Sequence, residues 1–129
     1  MKRGVDMEKI KILVVDDKKI IGDLFGFTLG FSGHDIIVVD NAHKAIEAVK
    51  NEKFDIAFID IVMPEKDGCT LLEEIRGIAP GLPVVMMSGY SVQEKRMKAQ
   101  SLGAVTCLKK PFEMDDVRRV IKVATGRDV

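Results

Sequence analysis

Asp16, Asp17, Asp60, Ser88 and Lys110 are residues of types that, if brought together, would handle a divalent cation and a phosphoryl group. Two like charges about 4 Å apart repel by roughly 4 kcal/mol at an effective dielectric near 20. Three clustered carboxylates therefore need either raised pKa values or a cation. A hard, oxygen-seeking divalent ion such as Mg²⁺ satisfies them and keeps positions open for phosphate oxygens. Lys110 supplies one fixed positive charge, too little for three acids. An aspartate beside a metal and an ammonium can attack phosphorus, because both cations neutralise charge on the equatorial oxygens. Singly, each residue has a plainer reading. An aspartate after a strand caps or turns, and a lysine before proline is a solvated loop residue.

What would bring them together is the order of elements. Five short apolar runs punctuate the chain: Ile10 to Val15, Ile36 to Val39, Ile56 to Ile59, Val84 to Met87 and Ala104 to Leu108. Most are continuous rather than alternating, as in strands covered on both faces. Between them lie stretches with helical spacing, carried by Ile20, Ile21, Leu24, Phe25, Thr28 and Leu29, by Ala45, Ile46 and Val49, and by Leu71, Leu72 and Ile75. Val117, Val120, Ile121 and Ala124 form the cleanest amphipathic stripe. Ser91 to Leu102 is the weakest helix, with only Val92, Met97, Ala99 and Leu102 to bury. Gly30 and Gly33, then Pro80 and Gly81, then Gly103 end helices. Strand and helix alternating five times demand an α/β fold, a parallel sheet with helices on both faces. Ligands of such sheets gather beyond the carboxyl ends of the strands. The first run ends in Asp16-Asp17, the third in Asp60, the fourth in Ser88, and the fifth leads to Lys110-Pro111.

The 129 residues suit one domain, and twenty basic residues balance twenty acidic ones. No whole-domain charge draws the chain to nucleic acid or to an anionic membrane. No apolar run approaches the roughly 18 residues that span a bilayer, and Met1 to Lys9 lacks the apolar stretch of a secretory signal. Cys69 and Cys107 are too few for a disulfide framework and read as free thiols of a reducing cytoplasm. The expected organisation is a tail at 1–9, one domain at 10–126, and a tail or linker start at 127–129.

KILVV followed by Asp16-Asp17, IDIVMPEKDG around Asp60, MMSGY around Ser88 and LKKPF around Lys110 resemble the receiver domain of bacterial response regulators. The resemblance runs from about Lys11 to Ala124. It implies a doubly wound, flavodoxin-like sheet of five parallel strands in the order 2-1-3-4-5, with five helices on two faces. It implies Asp60 as phosphoacceptor and as a ligand of Mg²⁺ (or Mn²⁺), Asp17 as a direct ligand of the ion, Asp16 as a ligand largely through water, and the Val62 carbonyl as a further ligand. Ser88 would donate to a phosphoryl oxygen and Lys110 would pair with the same oxygens, next to a cis Lys110-Pro111 bond. Lys109 is the neighbouring decoy, because adjacent strand side chains point oppositely. Gly68 would end the tight turn before the third helix, and Gly89 would leave room for a donor histidine.

The sequence also departs from the family pattern. Cys107 stands where many receivers carry Tyr or Phe three residues before the site lysine, so the usual inward-turning ring is missing. Tyr90 is two residues past Ser88 and is not that position. Val62 and Tyr90 flank the site without offering a group to orient water, which suggests a long-lived aspartyl phosphate partly shielded by Tyr90. Gly22, Gly26 and Gly30 recur every four residues along the first helix, either as a close-contact surface for a phosphodonor or as tight packing. Lys95, Arg96 and Lys98 read as a solvated face. Met63, Met86 and Met87 read as core.

The function implied is that of a signalling module and not an enzyme. A sensor histidine kinase or histidine phosphotransfer protein would phosphorylate Asp60, and a downstream protein target or attached output domain would read the change. Direct nucleic-acid binding by this domain and membrane association are not expected. An aspartate-nucleophile phosphohydrolase would need a second carboxylate two residues after Asp60, where Val62 stands. A binding module that never uses phosphate would normally have lost one of the acids or the lysine.

Overall fold

In the computed structural model, residues 9–89 and 93–129 are described. Five parallel strands, β1 (Lys11–Val15), β2 (Asp35–Val39), β3 (Ile56–Asp60), β4 (Val84–Ser88) and β5 (Thr106–Lys109), form one sheet in the order β2-β1-β3-β4-β5. Helices α1 (Lys19–Phe25), α2 (Ala42–Asn51), α3 (Gly68–Ile78), α4 (Gln93–Ser101) and α5 (Met114–Thr125) connect and follow them. The expected fold class and strand order are both observed. β3 and β4 are buried along their whole length, which is why their sequences are unbroken apolar runs. β2 is an edge strand and only half covered, with Val38 exposed.

Two cores flank the sheet. Alternate strand residues Ile12, Val14, Ile56, Phe58, Val85 and Met87 face α1 and α5. Leu13, Val15, Ala57, Ile59, Val84 and Met86 face α2, α3 and α4. Phe25 of α1 anchors the first core, its ring centroid 5.0 Å from that of Phe58 and 6.3 Å from that of Phe112, the latter edge-on. Phe112 follows Lys110-Pro111 directly, so this contact ties the end of β5 to the core. Met63, Met86 and Met87 are buried filler, as expected.

Two helices differ from the sequence reading. α1 runs on into a π-helical turn, Gly26–Gly30, in which the Phe31 amide donates to the Gly26 carbonyl at 3.1 Å. Thr28 Oγ1 donates back to the Leu24 carbonyl at 2.6 Å, a bond that competes with the helical ladder and favours widening. The three glycines there do not form one contact surface. A Cβ on Gly22 would lie 2.6 Å from Val38 Cγ1, and one on Gly30 would lie 3.5 Å from Ile36, whereas Gly26 faces open space. Gly22 is therefore small because α1 sits close on β2. In α4, Met97 is exposed rather than buried, and Ala99 makes the core contact. Tyr90, Ser91 and Val92 lie outside the described residues, and with them the shielding role expected of Tyr90.

His34, just before β2, is buried, with its Nδ1 accepting from the Ile10 amide at 3.2 Å. The neutral ring must then carry its proton on Nε2, which is buried with no partner among the described residues. Burial first, then the charge of Arg118, holds the imidazole below its ordinary pKa of 6.5. The unfolded chain thus takes up this proton at a higher pH than the folded chain. Stability contributed by neutral His34 is complete above pH 6.5 and is lost as the pH falls below it. The wild-type chain should lose more stability between pH 8 and pH 5 than His34→Asn, whose amide oxygen can replace Nδ1 as acceptor without titrating. Urea midpoints across that range test this, and parallel curves for the two proteins would refute it.

Candidate functional site

The order β2-β1-β3 means that the chain turns outward after β1 and returns to β3, leaving a crevice at their carboxyl ends. Val15 pairs with Ile59, so one further step sets Asp16 beside Asp60, while Asp60 pairs with Met87. Side chains alternate along a strand. Asp60 therefore continues the row of Phe58, and Lys110 that of Leu108, on the face covered by α1 and α5. Lys109 falls on the opposite parity and is exposed.

One carboxylate oxygen from each of Asp16, Asp17 and Asp60 lies within 4.8 Å of the others. Asp16 and Asp60 are buried and Asp17 is exposed. Lys110 Nζ donates to Asp16 Oδ2 at 2.7 Å and to Asp60 Oδ2 at 3.2 Å. Asp60 Oδ1 accepts from the Val62 amide at 3.1 Å, and Asp16 Oδ1 from the Lys18 amide at 2.8 Å. Ser88, also buried, ends the neighbouring strand, and its carbonyl accepts from the Lys110 amide at 2.7 Å. The Lys110-Pro111 peptide is cis. The crevice thus collects the five residues singled out by type, on one edge and from four strands.

Sequence reasoning passed over Lys18. Its Nζ lies 3.2 Å from Asp17 Oδ1 and 3.5 Å from Asp60 Oδ2, a second ammonium on the acidic cluster. The hydrogen bond to Asp17, followed by the charges of Asp60, Asp17 and Asp16, holds Lys18 above the ordinary lysine pKa despite some burial. The only signal in the sequence was its place directly after the aspartate pair.

The chain matches the family model described as the response regulator receiver domain over residues 12–122. It belongs to the response regulator receiver family. Phosphoryl transfer to an aspartate in two-component signalling is the general function of this family. It is 36% identical over 103 residues to the response regulator protein FleR of Pseudomonas aeruginosa, covering 80% of this chain and 22% of that protein. It is 32% identical over 117 residues to the transcriptional regulatory protein ZraR of Escherichia coli, covering 91% and 26%. The "CheY-like" receiver protein of Methanospirillum hungatei superposes with a TM-score of 0.87 at 29% identity, over 92% of this chain and 95% of that one. The receiver domain of NtrX from Brucella abortus gives 0.83 at 36% identity, over 89% and 98%. The chain spans about half or less of the length of the curated relatives it matches first.

The loop after the site carries strain in this receiver. Lys66 donates its amide to the Pro64 carbonyl at 2.8 Å, closing a three-residue turn on Glu65 at φ 71°. A γ-turn of this hand is rare for an L-residue. Glu65 is exposed, so Glu65→Gly should raise stability by about 1 kcal/mol, left-handed strain outweighing the added chain entropy. A thermal midpoint higher by roughly 3–5 °C is expected, and a lower one would show that Glu65 makes a compensating contact. Gly68, expected at the end of this turn, has no positive φ and is a packing glycine. A Cβ there would collide with the Asp60 carbonyl oxygen and lie 2.8 Å from Ile61 Cα.

On the far side of the sheet edge, Cys107 is half-buried against the α2–α4 core, and burial pushes its thiol pKa up while Arg96 partly opposes the rise. Arg96, read from sequence as part of a solvated face, is turned toward Cys107. Lys98 is exposed as expected.

Proposed function

We propose that Asp60 is the phosphoacceptor of this receiver, supported above all by the Lys110 ammonium bridging buried Asp16 and Asp60 at 2.7 and 3.2 Å. Three carboxylates against the two ammonium groups of Lys110 and Lys18 still leave negative charge to be neutralised, and their hard oxygen donors suit Mg²⁺, with Mn²⁺ as a substitute. In this reading Asp17 and Asp60 would hold the ion, Asp16 would do so largely through water, and the Val62 carbonyl would be a further ligand. When bound, the ion neutralises charge on the phosphoryl oxygens. A carboxylate oxygen of Asp60 attacks phosphorus in line, the bond from phosphorus to the donor nitrogen or oxygen breaks, and the leaving group carries away the electron pair. Lys110 then exchanges its contact with Asp60 for a phosphoryl oxygen, and the Ser88 hydroxyl donates to another. The Val62 amide keeps the carboxyl oriented throughout.

The unit at 10–126 acts as a phosphoryl-accepting switch and not as an enzyme that turns over a separate substrate. Its phosphodonor is a sensor histidine kinase or histidine phosphotransfer protein in the cytoplasm, and its reader is a partner protein or an attached output domain. The balance of charge supports no direct nucleic-acid binding by this unit. No described helix is long and apolar enough to cross a membrane. Incubation with acetyl phosphate and Mg²⁺ followed by intact mass measurement tests the proposal. One phosphate adduct that EDTA prevents is expected, and no adduct at any metal concentration would overturn it.

A further inference from the structure

We infer that Lys18 is a built-in competitor for the divalent cation of this pocket, so that the ion binds by displacing the Lys18 ammonium rather than by entering an open site. This rests on the reading of the acidic crevice as a metal site. The Lys18 amide donates to Asp16 Oδ1 at 2.8 Å, and its backbone is extended at φ −97° just before α1 begins. That bond pins the main chain at the rim and returns the side chain over the crevice. There Nζ touches Asp17 at 3.2 Å and Asp60 at 3.5 Å, two of the three carboxylates whose oxygens cluster.

The two lysines of the site differ in how firmly they are held. Lys110 has a side chain only 14% exposed and a short bond to fully buried Asp16. Lys18 is 57% exposed with longer contacts, so solvent can receive its ammonium when something better occupies the acids. Charge favours that exchange. Three carboxylates are balanced by Lys110 and one divalent ion, and Lys18 held in place as well would leave a surplus positive charge beside the ion. Lys18 thereby lowers the affinity for the ion while keeping the acids neutralised in its absence.

Mn²⁺ added to the wild-type chain, with free ion followed by its paramagnetic resonance signal, tests the competition without any phosphoryl transfer. Lys18→Met should bind Mn²⁺ roughly threefold to tenfold more tightly than wild type, from the loss of two partly exposed ion pairs. Lys18→Arg, which keeps the charge, should stay near wild type. Equal or weaker binding by Lys18→Met overturns the inference and leaves the metal reading intact. Absence of Mn²⁺ binding in all three proteins overturns the metal reading and the inference with it.

Discussion

Asp60→Asn should take up no phosphoryl group under conditions in which the wild-type chain is expected to gain one, and it should remain folded. The carboxamide has the shape of the carboxylate and its oxygen can still accept from the Val62 amide, which lies 3.1 Å from Asp60 Oδ1. What is lost is the anionic nucleophile, so the rate of adduct formation should fall by roughly 10³ or more. Stability moves the other way. Asp60 is a buried acid sharing one firmly held ammonium with Asp16, and Asp16 keeps its own 2.7 Å bond to Lys110 after the substitution. Removing one of three neighbouring negative charges relieves repulsion in metal-free buffer. The thermal midpoint of Asp60→Asn without metal should therefore equal or exceed that of wild type. An adduct that persists in Asp60→Asn would move the acceptor to another side chain of the crevice. A large fall in the midpoint would show that Asp60 serves the fold more than the chemistry.

Gly68→Ala is the substitution expected to damage the fold most for its size. The added Cβ meets backbone, the Asp60 carbonyl oxygen and Ile61 Cα, together with Met86 Cε at 2.9 Å. Methionine can swing aside, but the end of β3 cannot, because β3 is hydrogen-bonded between β1 and β4. The Gly68 amide also donates to the Ile61 carbonyl at 2.8 Å, which fixes the start of α3 against that strand. Overpacking of this kind costs about 3 kcal/mol, and the thermal midpoint should fall by roughly 10 °C or more. Because the collision is with the backbone of Asp60 itself, Mn²⁺ affinity should weaken in the fraction that still folds. Unchanged stability would mean that α3 can withdraw from β3 without loss.

The two substitutions separate what Asp60 does from what holds Asp60 in place, and the chain disclosed these to different degrees. Asp60 was legible because its residue type is chemically meaningful and it ends an apolar run. Gly68 was visible as a turn glycine, but the reason for it was not. Its φ is unremarkable, and the demand comes from a strand eight residues earlier in the chain. The strained residue in that loop is Glu65, a type that carries no mark of left-handed geometry.

The same division holds for the whole receiver. Periodicity and punctuation in the chain determined the alternation of strands and helices, because burial on two faces demands continuous apolar runs and helices demand a stripe. The order of the strands and the identities of Asp16, Asp17, Asp60, Ser88 and Lys110 as a set came from motifs whose spacing matches a family. Lys110 rather than Lys109 was expected at the crevice from the motif and from strand parity, and the tertiary structure sets its ammonium on Asp16 and Asp60. That structure alone widened α1 at Thr28, brought Gly22 against Val38 and turned Arg96 toward Cys107. Above all it placed Lys18 on Asp17 and Asp60, which no spacing foretells. A sequence records which groups are charged. Where a long, flexible ammonium comes to rest depends on which carboxylates the fold has left within its reach.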